Sequence, residues 1–319
     1  MPLRPMIGPL VTCDSIFSRL IVRPGGSAQS RVVVEANRVV LEVAMPLLAG
    51  LEFEVIASGS EFSTHGRLHL LHGMGMIAGV GLADPDLPPQ EAARSLYEEL
   101  LGKLDGHHLH RVWNYLPEIN REVNGIENYR AFNSGRYEAF AHHFGPDFQP
   151  QLPAASAVGT VGGPLAVAFL AGKGTTRHFE NPEQVPSVEY PADYGPVPPA
   201  FARGTVAEGA GGQSWFLSGT ASIKGHATLG SDIREQARLT FDNVHIMFQR
   251  MALPEEVAAS WKIFLRHAHD LPAARAAFAA AFPAFAGSAM FVLADICRSG
   301  LLIEVEATCH LSHPAALPP

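Results

Sequence analysis

Glu304 and Glu306 are the residues of this sequence best placed for proton chemistry. They stand two positions apart in Leu301-Leu302-Ile303-Glu304-Val305-Glu306-Ala307, an otherwise apolar, strand-like run. Side chains on a strand alternate between faces, so the two carboxylates share one face while Leu302, Ile303 and Val305 supply burial. A carboxyl group in apolar surroundings favours its neutral form, which suits a general acid. The same pattern also fits an edge strand with one wet face.

Two further groups of polar residues could recognise an anion. Asn128-Tyr129-Arg130-Ala131-Phe132-Asn133-Ser134-Gly135-Arg136 reads as a turn ahead of a helix, with Tyr129 and Arg136 able to donate together to a carboxylate. A capping turn with its arginines in solvent fits equally well. Tyr190 to Arg203, with Ser218-Gly219-Thr220-Ala221-Ser222, offers hydroxyls and backbone N–H groups at a strand end, a cradle for an anion or an ordinary β-bulge.

Other motifs carry less. Gly73-Met74-Gly75-Met76-Ile77-Ala78 approaches a dinucleotide-binding loop, but no helix start follows it, so a glycine-rich strand or bulge is the better reading. The 15 histidines, including His107, His108, His110, His142 and His143, lack the spacing of a metal site and read as surface or packing residues. No GxSxG elbow is present. No cofactor and no metal are expected.

Two sets of elements must position these groups. Strands are expected at Arg31 to Val43, 53–56, 67–71 and His110 to Leu116, with helices over Pro88 to Leu104 and Arg136 to Phe144. The charge-free run from Leu152 to Gly172 reads as two strands joined in a hairpin at Gly162-Gly163-Pro164, breakers that argue against a membrane span. A proline-rich crossing follows from Lys173. The order then returns: a strand at 214–217, a helix over Asp232 to Met251, a strand from Trp261 to His267, a helix over Pro272 to Phe282, and strands from Ala289 to Ile296 and Leu301 to Ala307. This is a duplicated α+β unit, residues 1–172 and 173–319, with mixed sheets and helices on one face. Ala166 and Ala168 take the places of Glu304 and Glu306 in the first copy, so chemistry is expected in the second.

The bulk numbers set outer limits. The chain has 319 residues, 47% of them hydrophobic, enough for about two domains. A net charge of -8 without basic clusters argues against nucleic acid as a partner. Cys13, Cys297 and Cys309 form no CxxC, which fits a reducing cytoplasm, and Met1-Pro2-Leu3-Arg4-Pro5 leads into no signal core.

The run Glu304-Val305-Glu306-Ala307 after a glycine turn, with Asp232-Ile233-Arg234-Glu235-Gln236 before it, resembles the YjgF/RidA fold, which is chorismate-mutase-like. The arginine that binds a ketoacid in that family would fall at Ala289, which disfavours enamine or imine hydrolysis. Nearly the whole chain resembles the chorismatases, which carry two such modules. The resemblance rests on 112–120 (Val-Trp-Asn-Tyr-Leu-Pro-Glu-Ile-Asn), Tyr129 to Arg136, Tyr194-Gly195-Pro196 with Phe201-Ala202-Arg203, Ser218 to Ile223, and the Glu304 strand.

That resemblance implies loss of the enolpyruvyl group of chorismate as pyruvate, without a cofactor. Arg136 with Tyr129, and Arg203 with Tyr194, would clamp the two carboxylates, with Thr220 and Ala221 in the substrate-binding turn. Glu304 would protonate the enol ether. Cys297, seven residues before it, resembles the branch that forms hydroxybenzoate, whereas Ala221 resembles the branch that hydrolyses chorismate to a trans-dihydroxycyclohexadiene carboxylate. The favoured product is 3-hydroxybenzoate, with 4-hydroxybenzoate as a second. A module that only binds an aromatic carboxylate is the rival outside enzymology. A pseudo-trimeric monomer or weak homo-oligomer, with no membrane partner, is expected.

Overall fold

The β-branched and aromatic runs build two large mixed sheets with the same strand order. In a computed structural model, residues 18–209, 211–254 and 257–312 are described. Cys13 and the N-terminal stretch lie outside the described residues. The first sheet runs in the order 154–160, 108–117, 166–172, 76–82, 68–73, 61–65. The second runs 289–293, 258–265, 303–312, 212–221, 204–209, 175–179, with the short strand Leu47–Gly50 added beside 289–293. Four further strands between Ser18 and Gly59 form a separate sheet.

Each large sheet carries two helices on one face. Helices α1 (Pro89–Leu101) and α2 (Asn128–Phe144) pack on the first sheet through Leu96, Tyr97, Leu100, Phe132 and Phe140. Helices α3 (Ile233–Arg250) and α4 (Leu271–Ala281) cover the second through Phe241, Val244, Met247 and Phe278, packed with Trp261 and Phe291. Asp232 caps α3 by accepting from the backbone N–H groups of Arg234 and Glu235. The opposite faces of the two sheets meet in a third core, built by Trp113, Tyr115, Ala166 and Ala168 from one side and Phe216, Phe264 and Met290 from the other. No helix among the described residues is long and apolar enough to cross a membrane.

The α+β class, with mixed sheets and helices on one face, is as the sequence indicates. Several details differ. The strands 154–160 and 166–172 are not a hairpin. The strand His108–Pro117 lies between them, parallel to the first and antiparallel to the second. The same holds for 289–293 and 303–312, which flank 258–265. A glycine turn looks alike in sequence whether its strands pair directly or leave room for a third. Residues 31–43 form two antiparallel strands turning at Ala36-Asn37, not one strand.

The segment from Asn128 is helical from its first residue, not a turn ahead of a helix. Gly135 permits this, because a Cβ there would stand 1.9 Å from the carbonyl oxygen of Gln90 in α1. The close crossing of two helix backbones decides the matter, and sequence periodicity does not register it. The Gly73-to-Ala78 motif is a β-hairpin, with Met74 and Gly75 both at positive φ in its turn.

Candidate active site

The strand Ile303–Ser312 runs between 212–221 and 258–265, so it is central and has no wet edge. Glu304 is 3% exposed and Glu306 2% exposed. Both project from the same face, as the alternation predicts, but they meet different surroundings.

Glu306 is held by cations from both modules. Arg111 donates to its Oε2 at 2.7 Å, and Ser156 donates to the same oxygen at 2.5 Å. Lys262 Nζ lies 2.7 Å from its Oε1 and 2.8 Å from Oε2 of Glu54. Burial alone would raise its proton affinity, but Lys262 and Arg111 outweigh it and hold the carboxyl below the usual range. Glu306 is therefore an anion.

Glu304 has no such partner. Its Oε1 is buried without a hydrogen bond, and its Oε2 lies 3.9 Å from Cys297 Sγ. Burial, reinforced by the charge of Glu306, pushes its carboxyl up to about 8 against the pull of Arg111. A group so placed is neutral at pH 7 and can give up a proton. Burial, with Glu304 adding to it, also pushes the Cys297 thiol up to about 12, so it stands as a neutral thiol.

The backbone opposite Glu304 is shaped to fit it. Between Leu217 and Thr220 the register with 303–312 slips, leaving Ser218 and Gly219 together in a bulge. A Cβ on Gly219 would fall 2.3 Å from Glu304 Oε1. Ser218 bonds across the modules: its hydroxyl donates to the Ala202 carbonyl at 2.5 Å and accepts from the Ala155 N–H at 2.9 Å. Of the two readings open for this turn, the bulge is the one that forms.

Glu304 opens onto a cavity of about 490 Å³ between the modules, within the common size of small-molecule sites. Tyr129, Tyr194, Arg203, Ala221 and Cys297 also line it. Arg136 does not reach the main cavity; it faces a smaller recess at its floor, shared with Tyr129, Cys297 and Glu304. Arg136 rests over the Phe132 ring, and its Nε is buried without a partner. Ala221 lies directly across from Glu304, on the same face. Thr220 pairs with Val305 and therefore points to the other face; its hydroxyl donates to the Ser218 carbonyl at 2.8 Å, and it is not among the lining residues.

Arg203 is nearly buried and donates at 2.7 Å to the hydroxyl of Tyr190 rather than to that of Tyr194. Tyr194 packs against Tyr190 and donates to the His226 carbonyl. Tyr190, which opens the polar stretch expected to cradle an anion, also lines the cavity, as does Arg298, which the sequence did not single out. Arg298 lies over the Tyr194 ring at 4.3 Å. A lone arginine in a turn carries no signal of its own. Ala289 is buried in the core beneath the second sheet. Among the described residues, no group of three or more His, Cys, Asp or Glu is arranged to hold a metal ion.

Comparison with known proteins fixes the family. Residues 55–171 match the family model described as Chorismatase FkbO/Hyg5-like, N-terminal. A relative from Streptomyces hygroscopicus named 3-hydroxybenzoate synthase is 38% identical over 236 residues, covering 68% of this chain and 68% of its own. The chain belongs to the chorismatase family. A second relative from the same species, named chorismatase, is 35% identical over 211 residues, covering 62% of this chain and 60% of its own. The crystal structure of a chorismatase superposes with a TM-score of 0.82 at 25% identity, covering 96% of both chains. The chorismatase family and the α+β, two-sheet architecture expected from the sequence are thus both found.

Proposed function

We propose that this chorismatase-family chain converts chorismate to pyruvate and 3-hydroxybenzoate, with 4-hydroxybenzoate as a second product. The observation that carries the reading is a buried Glu304, its Oε1 without a hydrogen-bond partner, opening onto a cavity lined by guanidinium and phenol groups. An acid of this kind has a use on an enol ether, whose methylene carbon is basic only towards a well-placed proton.

Chorismate carries two carboxylates, and the cavity offers cations for both. Arg136 with Tyr129 takes one at the floor, and Arg203 takes the other with Tyr190 and Tyr194 beside it. Glu304 donates its proton to the methylene carbon, and the π pair of the enol ether forms the new C–H bond. Positive charge develops at the ether carbon, next to the carboxylate that Glu304 has become. In the hydroxybenzoate course the ring hydroxyl completes the loss of pyruvate and no water is consumed. The ring gives up a proton as it aromatises, which returns Glu304 to its acid form. Cys297, at 3.9 Å from Glu304, is the neutral donor beside that transfer. The relative named 3-hydroxybenzoate synthase supports this product. Among the described residues, Cys297 and Cys309 are free thiols, which fits a cytoplasmic location.

Hydrolysis is the second reading, favoured by Ala221 facing Glu304 across the cavity wall. There one water adds to the cationic carbon, and the products are pyruvate and a trans-dihydroxycyclohexadiene carboxylate. Incubating the purified protein with chorismate alone, and following pyruvate and ring product by chromatography, tests both. Pyruvate with hydroxybenzoate supports the first course, and pyruvate with the diol the second. No pyruvate leaves a binding module.

A further inference from the structure

Glu306 has no opening to the cavity, yet its surroundings are costly. Arg111, Lys262, Glu54 and Glu306 lie in the core between the sheets, all with side chains 6% exposed or less, and they join in one run of contacts of 2.7–2.8 Å. The run holds two cations and two anions and rests on the face of Trp113, 5.1 Å from Arg111 and 5.2 Å from Lys262. Arg111 comes from the first sheet, Lys262 and Glu306 from the second, and Glu54 from the small N-terminal sheet. Buried charges survive only when paired, and this set is balanced without Glu304.

We propose that Glu306 is a positioning residue for the reaction: by saturating Arg111 and Lys262 it leaves neither of these two core cations to pair with Glu304, so the reacting carboxyl two positions away keeps its proton until substrate takes it. This rests on Glu304 being the proton donor.

The other groups facing Glu304 do not alter the balance. Cys297 and Tyr129 are neutral, their proton affinities raised by burial, and so is Tyr115 beneath the cluster. Arg266 is paired with Asp295 at 2.5 Å. Arg203 stands 3.8 Å from Glu180. Arg136 faces the recess without a carboxylate, and the incoming substrate supplies one. The first copy places Ala168 opposite Trp113 on the matching strand, so of the two matching strands only that of the second copy brings carboxylates to this core.

The test compares wild type with Glu306→Gln, Glu306→Asp and Glu54→Gln. Two readouts are used: the pH profile of kcat for pyruvate release, and the titration of the Glu304 carboxyl by carbon NMR on glutamate-labelled protein, assigned with Glu304→Gln. Glu306→Gln leaves the cluster one positive charge in excess. The Glu304 titration is expected to move down by about one pH unit or more, on the order of tenfold in proton affinity. Activity near neutrality falls accordingly and is regained at lower pH. Glu306→Asp restores the wild-type midpoint. If Glu306→Gln does not fold, Glu54→Gln removes one negative charge while sparing the Glu306 contacts, and a smaller shift in the same direction is expected. An unmoved NMR midpoint in whichever of these variants folds overturns the proposal. The NMR titration needs no turnover, so a wild type that releases no pyruvate defeats the proposed reaction without deciding the role of Glu306.

Discussion

Gly219 and Glu304 approach each other so closely across neighbouring strands that a methyl group on the glycine would overlap Oε1 of the carboxyl. The bulge at Ser218-Gly219 brings bare backbone against the acid, and Ser156 closes the same space from the first module. At Oε1 the acid is thus boxed in by small residues rather than by hydrogen-bond partners. This leaves its proton free for transfer while fixing its direction.

Replacing Gly219 by Ala therefore forces Glu304 to turn. Overpacking of this kind costs about 1–3 kcal/mol of stability, and a displaced catalytic group loses on the order of 100-fold in rate. Thermal unfolding with steady-state kinetics checks this. A variant with wild-type kcat would show that the carboxyl has room the structure does not display.

Glu304→Gln keeps the shape and removes the proton. Pyruvate release should fall by about 10²–10⁴-fold, whereas binding of chorismate, followed by quenching of intrinsic fluorescence, should change little. Loss of both together would mean that Glu304 serves binding.

The sign of the pH dependence of stability follows from the same residue. Folding raises the Glu304 carboxyl from 4.5 to about 8. Its contribution to stability is complete below 4.5 and is lost as the pH rises through about 8. Glu306 behaves oppositely, since its folded value is lowered: its contribution is present above 4.5 and is lost as the pH falls. Glu304→Gln should therefore be more stable than wild type at pH 9 by about 1–4 kcal/mol, with the difference fading towards pH 4.5. Urea unfolding across that range reads it directly.

Arg266 holds the segment that carries Cys297 and Arg298. It donates to the carbonyls of Leu301 at 2.7 Å, Ile296 at 2.9 Å and Arg298 at 2.9 Å, and to Asn120 of the first module at 3.2 Å. Arg266→Ala strands these acceptors and should cost about 1–3 kcal/mol. KM should rise along with a fall in kcat, because Arg298 lines the cavity mouth. Lys in its place has a single donor centre and should recover little.

The sequence made the chemical residues more visible than their neighbours. The two-residue spacing of Glu304 and Glu306 was enough to put both on one face, because alternation along a strand is local geometry. It could not say that one would be saturated and the other left bare. That difference comes from Arg111 and Lys262, which are 151 positions apart and meet only when the sheets close. Likewise, helix α2 hid its first two turns because the residue that permits them, Gly135, matters only against Gln90. Strand pairing was misread at Gly162-Gly163-Pro164 because the intervening strand, His108–Pro117, lies well upstream in the chain. Thr220 and Ala221 looked alike as turn residues, and the register with Glu304 and Val305 is what parts them.

The short strand Leu47–Gly50 has a role in the history of each molecule as it folds. It lies early in the chain yet pairs with Met290 to Val292 near the end, where Gly50 at φ 89 passes close to the Ala289 carbonyl. Joining segments so distant carries a large loop-closure cost and belongs to the slow, late part of folding. Until it docks, the rim of the second sheet offers unpaired backbone N–H and C=O groups to any passing chain. The last stitch of the fold is therefore also its protection against aggregation, and a ribosome must have carried synthesis past Val292 before that protection exists.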